Sequence, residues 1–342
     1  MDLPAISSVS TEPILFAQVP AFDTVHDKLV SFVDGTPSLS NPSKIKGDLS
    51  RNIFPWLKQR YVEKSKAPPN PIVVAAFGQT IAALVVDLPA SSMFPLLDIW
   101  RLAILEPTIA QATLAPLIKV LTLTSESVSS FPRATLLTLL RLATNSLGTP
   151  LSRPLLAADV SARAVLTNVL VQTLLHSDRL VRVAAASLAF NVGAWVQKGR
   201  VARIKKGEDA IDGIRAGEED GEWEVELVSA VAEALGSEEE SEDAGESSPP
   251  CSSPCACDPI QRGEMTVHEL LTDIILVHRL TATLAFLIRL SPFYEDQLVP
   301  LLGVLQVGDT LKGKLAEDGK LKVRKKEIRA LVGEVADHLC ST

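Results

Sequence analysis

The stretch FPRATLLTLLRLATNSLG, residues 131–148, reads as one complete helix. Pro132 stands in the first turn, where a backbone N–H has no intrahelical partner to lose, apolar residues follow at helical spacing, and Gly148 stands just past the last of them. Its boundaries are the clearest in the chain. Upstream, SSMFPLLDIWRLAILEP (91–107) repeats the grammar, with Ser91 or Ser92 as cap, Pro95 near the first turn and Pro107 as stop. Downstream, a helix around Ser161 to His176 precedes SDRLVRVAAASLAFNVGAWVQKG (177–199), which offers Ser177 or Asp178 as cap and Gly199 as C-terminal stop. Arg, then small and apolar residues, then Asn occurs twice, from Arg141 to Asn145 and more loosely from Arg182 to Asn191. Recurrence of that kind points to stacked helical repeats, an α-solenoid, although no strict period emerges.

Composition agrees. At 342 residues with 46% hydrophobic content the chain can bury a large core, and aromatics at 5% beside abundant Leu, Ala and Val favour an all-α fold over strands. Residues 1–23 read as an N-terminal tail, and residues 24–342 as one helical body that begins with short amphipathic pieces broken by Gly35, Pro37 and Pro42. Ile72 to Leu88 is the most membrane-like stretch, but Gln79, Thr80 and Asp87 within it point to a buried helix. Residues 236–263, rich in Ser, Glu, Pro and Cys and without periodicity, read as a disordered insertion. Helicity resumes at TVHELLTDIILVHRLTATLAFLIRL (266–290), with Thr266 as cap and Glu269 three residues on, and the basic-then-apolar end KVRKKEIRALVGEVADHLCST (322–342) reads as a final helix.

The net charge of −8 is unevenly held: thirteen acidic residues and no basic one lie between Glu218 and Glu246, and setting them aside leaves the rest at +5. A mildly basic body makes an acidic partner physically plausible. Nucleic acid is poorly supported, because Lys and Arg are scattered and no aromatic side chains interleave with them. The opening MDLPAISSVSTEP lacks the basic-then-apolar pattern of a signal peptide, and with four Cys residues the expectation is a reducing cytosolic or nuclear setting.

With the helices placed, their sequences resemble the PUL domain, the C-terminal module of ubiquitin-pathway proteins of the phospholipase-activating-protein type. The resemblance runs in order through FPLLDIWRLAILEP (94–107), ATLLTLLRLATNSL (134–147), VRVAAASLAFNVGAW (181–195) and VHRLTATLAFL (277–287), and takes in the opening ILFAQVPAFDTVHDKLVSF (14–32). It implies an armadillo-like solenoid of about six helical repeats. It also implies a non-catalytic adaptor in ubiquitin-dependent protein turnover, whose basic concave groove binds the acidic C-terminal tail of valosin-containing protein, a hexameric AAA ATPase. By motif position the candidate groove residues are Arg101, Arg141, Asn145, Asn191 and Arg279. The acidic, Cys-bearing insertion departs from the family pattern. The β-propeller and ubiquitin-binding domains that accompany the module elsewhere are not in this sequence, nor are the thioredoxin-like or isopeptidase partners it has in some fungal proteins.

The chemistry of these residues supports the same expectation. An Asn amide donates and accepts together, so it can hold a peptide backbone without reading sequence. Arg141 and Asn145, four apart, share a helix face, where a guanidinium can pair with a carboxylate beside that amide. Trp195, four residues after Asn191, offers an apolar wall to a peptide side chain. The same residues have a structural reading: Asn191 bridging neighbouring helices, Trp195 in the core, Arg101 paired with Asp98 at helical spacing. A different class of function, a metal or thiol-redox module, would use Cys251, Cys255 and Cys257 with His268 or Cys340 as fourth ligand, but their spacing is irregular and contains no paired CxxC. The five His residues are dispersed, no phosphate loop or nucleophile elbow is present, and no cofactor is implied.

Overall fold

The structure, a computed structural model, describes residues 3–207, 221–240, 267–316 and 326–340, leaving aside the side chains of 238–240 and 267–272. Among the described residues there is no strand, and the protein is all-α. The chain divides into two compact units, Thr11–Glu208 and a second built from Met1–Ser10 with Asp209–Thr342.

In the first unit, α1 (Phe22–Asp34) and a run of short helical turns from Pro42 to Val62 lead into α2 (Pro71–Asp87), α3 (Phe94–Ala103), α4 (Pro107–Ala112), α5 (Leu114–Glu126), α6 (Arg133–Leu147), α7 (Val160–Leu174) and α8 (Arg179–Lys205). They pack as two rows. In one, α3 lies against α6 and α6 against α8; in the other, α2 lies against α5 and α5 against α7, with α7 also touching α8. Apolar residues of the row α3–α6–α8 supply much of the core: Leu96, Leu97 and Trp100 on α3, Leu139 and Leu142 on α6, and Ala185, Leu188 and Ala189 on α8 are fully buried. Trp100 donates its Nε1–H to Thr113 Oγ1 at 3.0 Å, so the largest core side chain has its one polar atom satisfied.

The helix ends follow local chemistry. Asp178 caps α8 by accepting from the N–H groups of Leu180 and Val181, and Asp159 caps α7 by accepting from Ala162. Neither Ser91 nor Ser92 caps α3: Ala90–Ser92 form a 3₁₀ turn, and Met93 occupies the cap position without a side-chain bond. Pro107 opens α4 instead of merely closing α3. Gly199 does not stop α8, which continues to Lys205, because an exposed glycine inside an otherwise buried and favourable helix weakens it without breaking it. Among the described residues α8 is the one helix long and apolar enough to cross a membrane, yet 78% of its apolar window is buried in the protein.

The second unit contains α9 (Glu222–Glu240), α10 (Val267–Ile288), α11 (Val307–Leu315) and α12 (Lys326–His338), with the short helix Pro4–Ser8 against α12. Glu334 on α12 accepts from the backbone N–H of Ala5 at 3.1 Å and of Ile6 at 2.6 Å, a carboxylate capping the free donors of that short helix. α9 corrects the sequence reading twice. Part of the acidic window is a folded helix that buries Leu227, Val228, Val231 and Leu235, so its charges belong to the folded protein, and residues 236–240 are helical where an insertion is expected. The rest of that insertion, with Cys251, Cys255 and Cys257, lies outside the described residues, as do Thr266 and the side chains of His268 and Glu269.

Candidate peptide-binding site

Residues 11–20, TEPILFAQVP, form a strap across the row α3–α6–α8. Pro13 and Pro20 bracket it, and it enters neither helix nor strand. Asn191 on α8 accepts the N–H of Ile14 at 2.8 Å and donates to the carbonyl of the same residue at 3.0 Å. Asn145 on α6 does the same for Phe16, accepting at 2.7 Å and donating at 3.0 Å. Arg101 on α3 extends the ladder, donating from Nη1 to the carbonyl of Phe16 and from Nη2 to that of Gln18, both at 2.8 Å, while its Nε binds Asp98 at 2.7 Å. Contacts at residues 14, 16 and 18 recur every second residue, as an extended backbone requires.

Each asparagine has a second task. The remaining N–H of Asn145 donates to the carbonyl of Arg101 at 2.6 Å, and that of Asn191 to the carbonyl of Thr144 at 3.0 Å, tying each helix of the row to the one before. Asn145 is fully buried and Asn191 is 2% exposed, so every polar atom of both amides is matched inside the fold. Asn145 follows Arg101 by 44 residues, and Asn191 follows Asn145 by 46. That spacing falls in the range of two- or three-helix armadillo and HEAT repeats, about 40–47 residues.

The expected amide grip on a peptide backbone is therefore present, but the peptide is the chain's own residues 14–18. The helix-bridging role weighed for Asn191 is present at the same time, as is the Arg101–Asp98 pair. Arg141 stands differently. Its guanidinium carbon lies 5.5 Å from the centre of the Phe16 ring, and among the described residues its buried Nε has no hydrogen-bond partner and no ion pair reaches it. Burial, and then the neighbouring charge of Arg101, lower its proton affinity, and Asp98 opposes them. Trp195 is half-buried on α8, one turn from Asn191. Lys198, a further turn along, pairs with Glu12 of the strap at 3.0 Å across an exposed surface. Gly148 permits a close approach: a Cβ there would lie 2.5 Å from Leu15 of the strap.

Arg279 belongs to the second unit, on α10, where burial lowers its proton affinity. Arg101, Arg141, Asn145 and Asn191 thus form one site, with Trp195 one turn from Asn191 on its helix, and Arg279 is described with the other unit. Cys340 is a buried free thiol in the second unit, and burial pushes it up to about 12.

The family model of the PUL domain matches residues 10–246, a span that begins at the strap, takes in the whole first unit and runs through α9. The chain belongs to the PUL domain family. A PUL domain is a protein-interaction module of the ubiquitin pathway and not a known catalytic one. A search of the curated proteins finds no significant match. Sequence reasoning missed the strap itself. The available signal was the pair of asparagines inside apolar helices, which need polar partners that neither helix supplies, together with the apolar, non-helical run Ile14–Phe16 between two prolines.

Proposed function

We propose that this PUL domain is a non-catalytic adaptor that binds the acidic C-terminal tail of the hexameric AAA ATPase valosin-containing protein during ubiquitin-dependent turnover, in the cytosol or nucleus. We read the two rows of helices as part of an armadillo-like stack of about six repeats. The observation that supports the binding reading is Arg141, a partly desolvated guanidinium beside the strap that has an aromatic ring under it and, among the described residues, no ion pair. Desolvation of a guanidinium that no carboxylate pairs directly is unfavourable, and a partner's carboxylate relieves it. Asn145, Asn191 and Arg101 act as the platform: they fix the strap, and the strap positions Phe16 beneath Arg141.

Another arrangement invites a hydrolytic reading. His26 Nε2 lies 2.9 Å from Ser50 Oγ, and His26 Nδ1 lies 3.1 Å from Asp27 Oδ1. Asp27, however, is 81% exposed and stands on the adjacent residue, unlike the buried carboxylate that orients a catalytic histidine. The adaptor reading is tested by titrating the chain into a fluorescent peptide of the ATPase's C-terminal tail. Binding is expected to be saturable and to weaken with salt, and Arg141→Glu is expected to weaken it at least about tenfold, because a charge-assisted hydrogen bond becomes a repulsion. Absence of binding, or equal binding by the variant, would return the function to an open question while leaving the fold intact.

A further inference from the structure

An extended chain presents the N–H and C=O of alternate residues to opposite sides. The inner side of the strap, at Ile14, Phe16 and Gln18, is taken by Asn191, Asn145 and Arg101. The backbone groups of Leu15, Ala17 and Val19 therefore point away from the helices, and among the described residues they make no hydrogen bond. Their side chains are exposed as well, Leu15 by 47% and Val19 by 45%. Pro13 removes the N–H that would continue this outer edge towards the N-terminus. The result is a single fixed extended segment with one edge consumed and one open, and an open backbone edge is a template for another extended chain.

Resting on the adaptor reading above, we infer that the partner's tail binds by strand addition to the outer edge of the strap at Leu15, Ala17 and Val19, with one of its carboxylates on Arg141. The occupant is an extended acidic peptide, chosen by charge: Arg141, which has no ion pair among the described residues, lies over the Phe16 ring of the strap. Backbone pairing supplies affinity with little sequence reading, and the cation selects acidic chains among extended ones. The helices need never contact the ligand's backbone, since their amides have already been used to present a second backbone in their place.

The test uses the whole chain and the same tail peptide. Ala17→Pro removes one outward N–H; proline accepts an extended conformation and keeps Phe16 extended, so the inner contacts of Phe16 and Gln18 persist. About tenfold weaker binding with an unchanged melting temperature is expected. In parallel, peptides carrying a backbone N-methyl group at successive positions should lose affinity at every second residue, a readout that does not depend on how the variant folds. If the unmodified peptide binds but neither Ala17→Pro nor N-methylation matters, strand addition is wrong and the adaptor reading survives. If the unmodified peptide does not bind, both are wrong. A chain that self-associates, and ceases to do so on Ala17→Pro, would assign the edge to a second copy and overturn the inference.

Discussion

Asn145→Ala is expected to lower the unfolding free energy by about 3 kcal/mol and to leave residues 11–20 open to proteolysis. The side chain is fully buried and makes three hydrogen bonds, to the N–H and C=O of Phe16 and to the C=O of Arg101. Truncation removes all three bonds at once. The carbonyl of Phe16 keeps Arg101 as a donor, but among the described residues its N–H has no other partner, and the carbonyl of Arg101 lies between two packed helices where water enters poorly. Asn145→Asp separates the contributions: it keeps an acceptor for the N–H of Phe16, loses both donors, and sets a charge against two carbonyl oxygens, so it should be at least as destabilising as alanine. Denaturant unfolding with limited proteolysis of the strap checks both variants; a loss below 1 kcal/mol for Asn145→Ala would mean that the strap is not held by this amide.

Trp100→Ala should cost about 4 kcal/mol, the upper part of the range for deleting a buried aromatic side chain. Trp100 has no exposed surface, sits where α3 meets the interior, and donates to Thr113, which is itself buried and donates onward to the carbonyl of Ile109. The variant therefore opens a cavity between the rows and removes the bond that joins α3 to the end of α4. Thr113→Val keeps the volume and orphans the indole N–H alone, so it should cost about 1–3 kcal/mol. The difference between the two variants, read by denaturant unfolding, measures packing against hydrogen bonding at this point. A Trp100→Ala chain as stable as the parent would show that the rows do not share a cooperative core.

Much of the helical architecture is legible in the sequence, because α3, α6 and α8 each carry their own punctuation: Pro95 and Pro107, Pro132 and Gly148, Asp178. Gly199 misleads because glycine is a weak helix breaker once the surrounding turns are buried. α9 is hidden by its glutamates, which dominate the composition while Leu227, Val228, Val231 and Leu235 keep an apolar face. The side chains of the candidate site, Arg101, Arg141, Asn145 and Asn191, are legible too, through motif and residue chemistry. What they hold is not. The strap joins residues 129 and 177 positions apart from its asparagines, and no local pattern encodes a contact at that separation. A chain segment without regular structure or charge pattern reads as a tail until the acceptors and donors that fix it are known.

Residue-resolved amide hydrogen exchange of residues 11–20, with and without the acidic tail peptide, tests most directly the claim that the strap is a built-in part of the site. The account predicts slowed exchange at Ile14 and Phe16 in the free chain and fast exchange at Leu15, Ala17 and Val19, with the peptide slowing the latter set while the former stays protected. Uniformly fast exchange in the free chain, or loss of protection at Ile14 and Phe16 when the peptide binds, would contradict it.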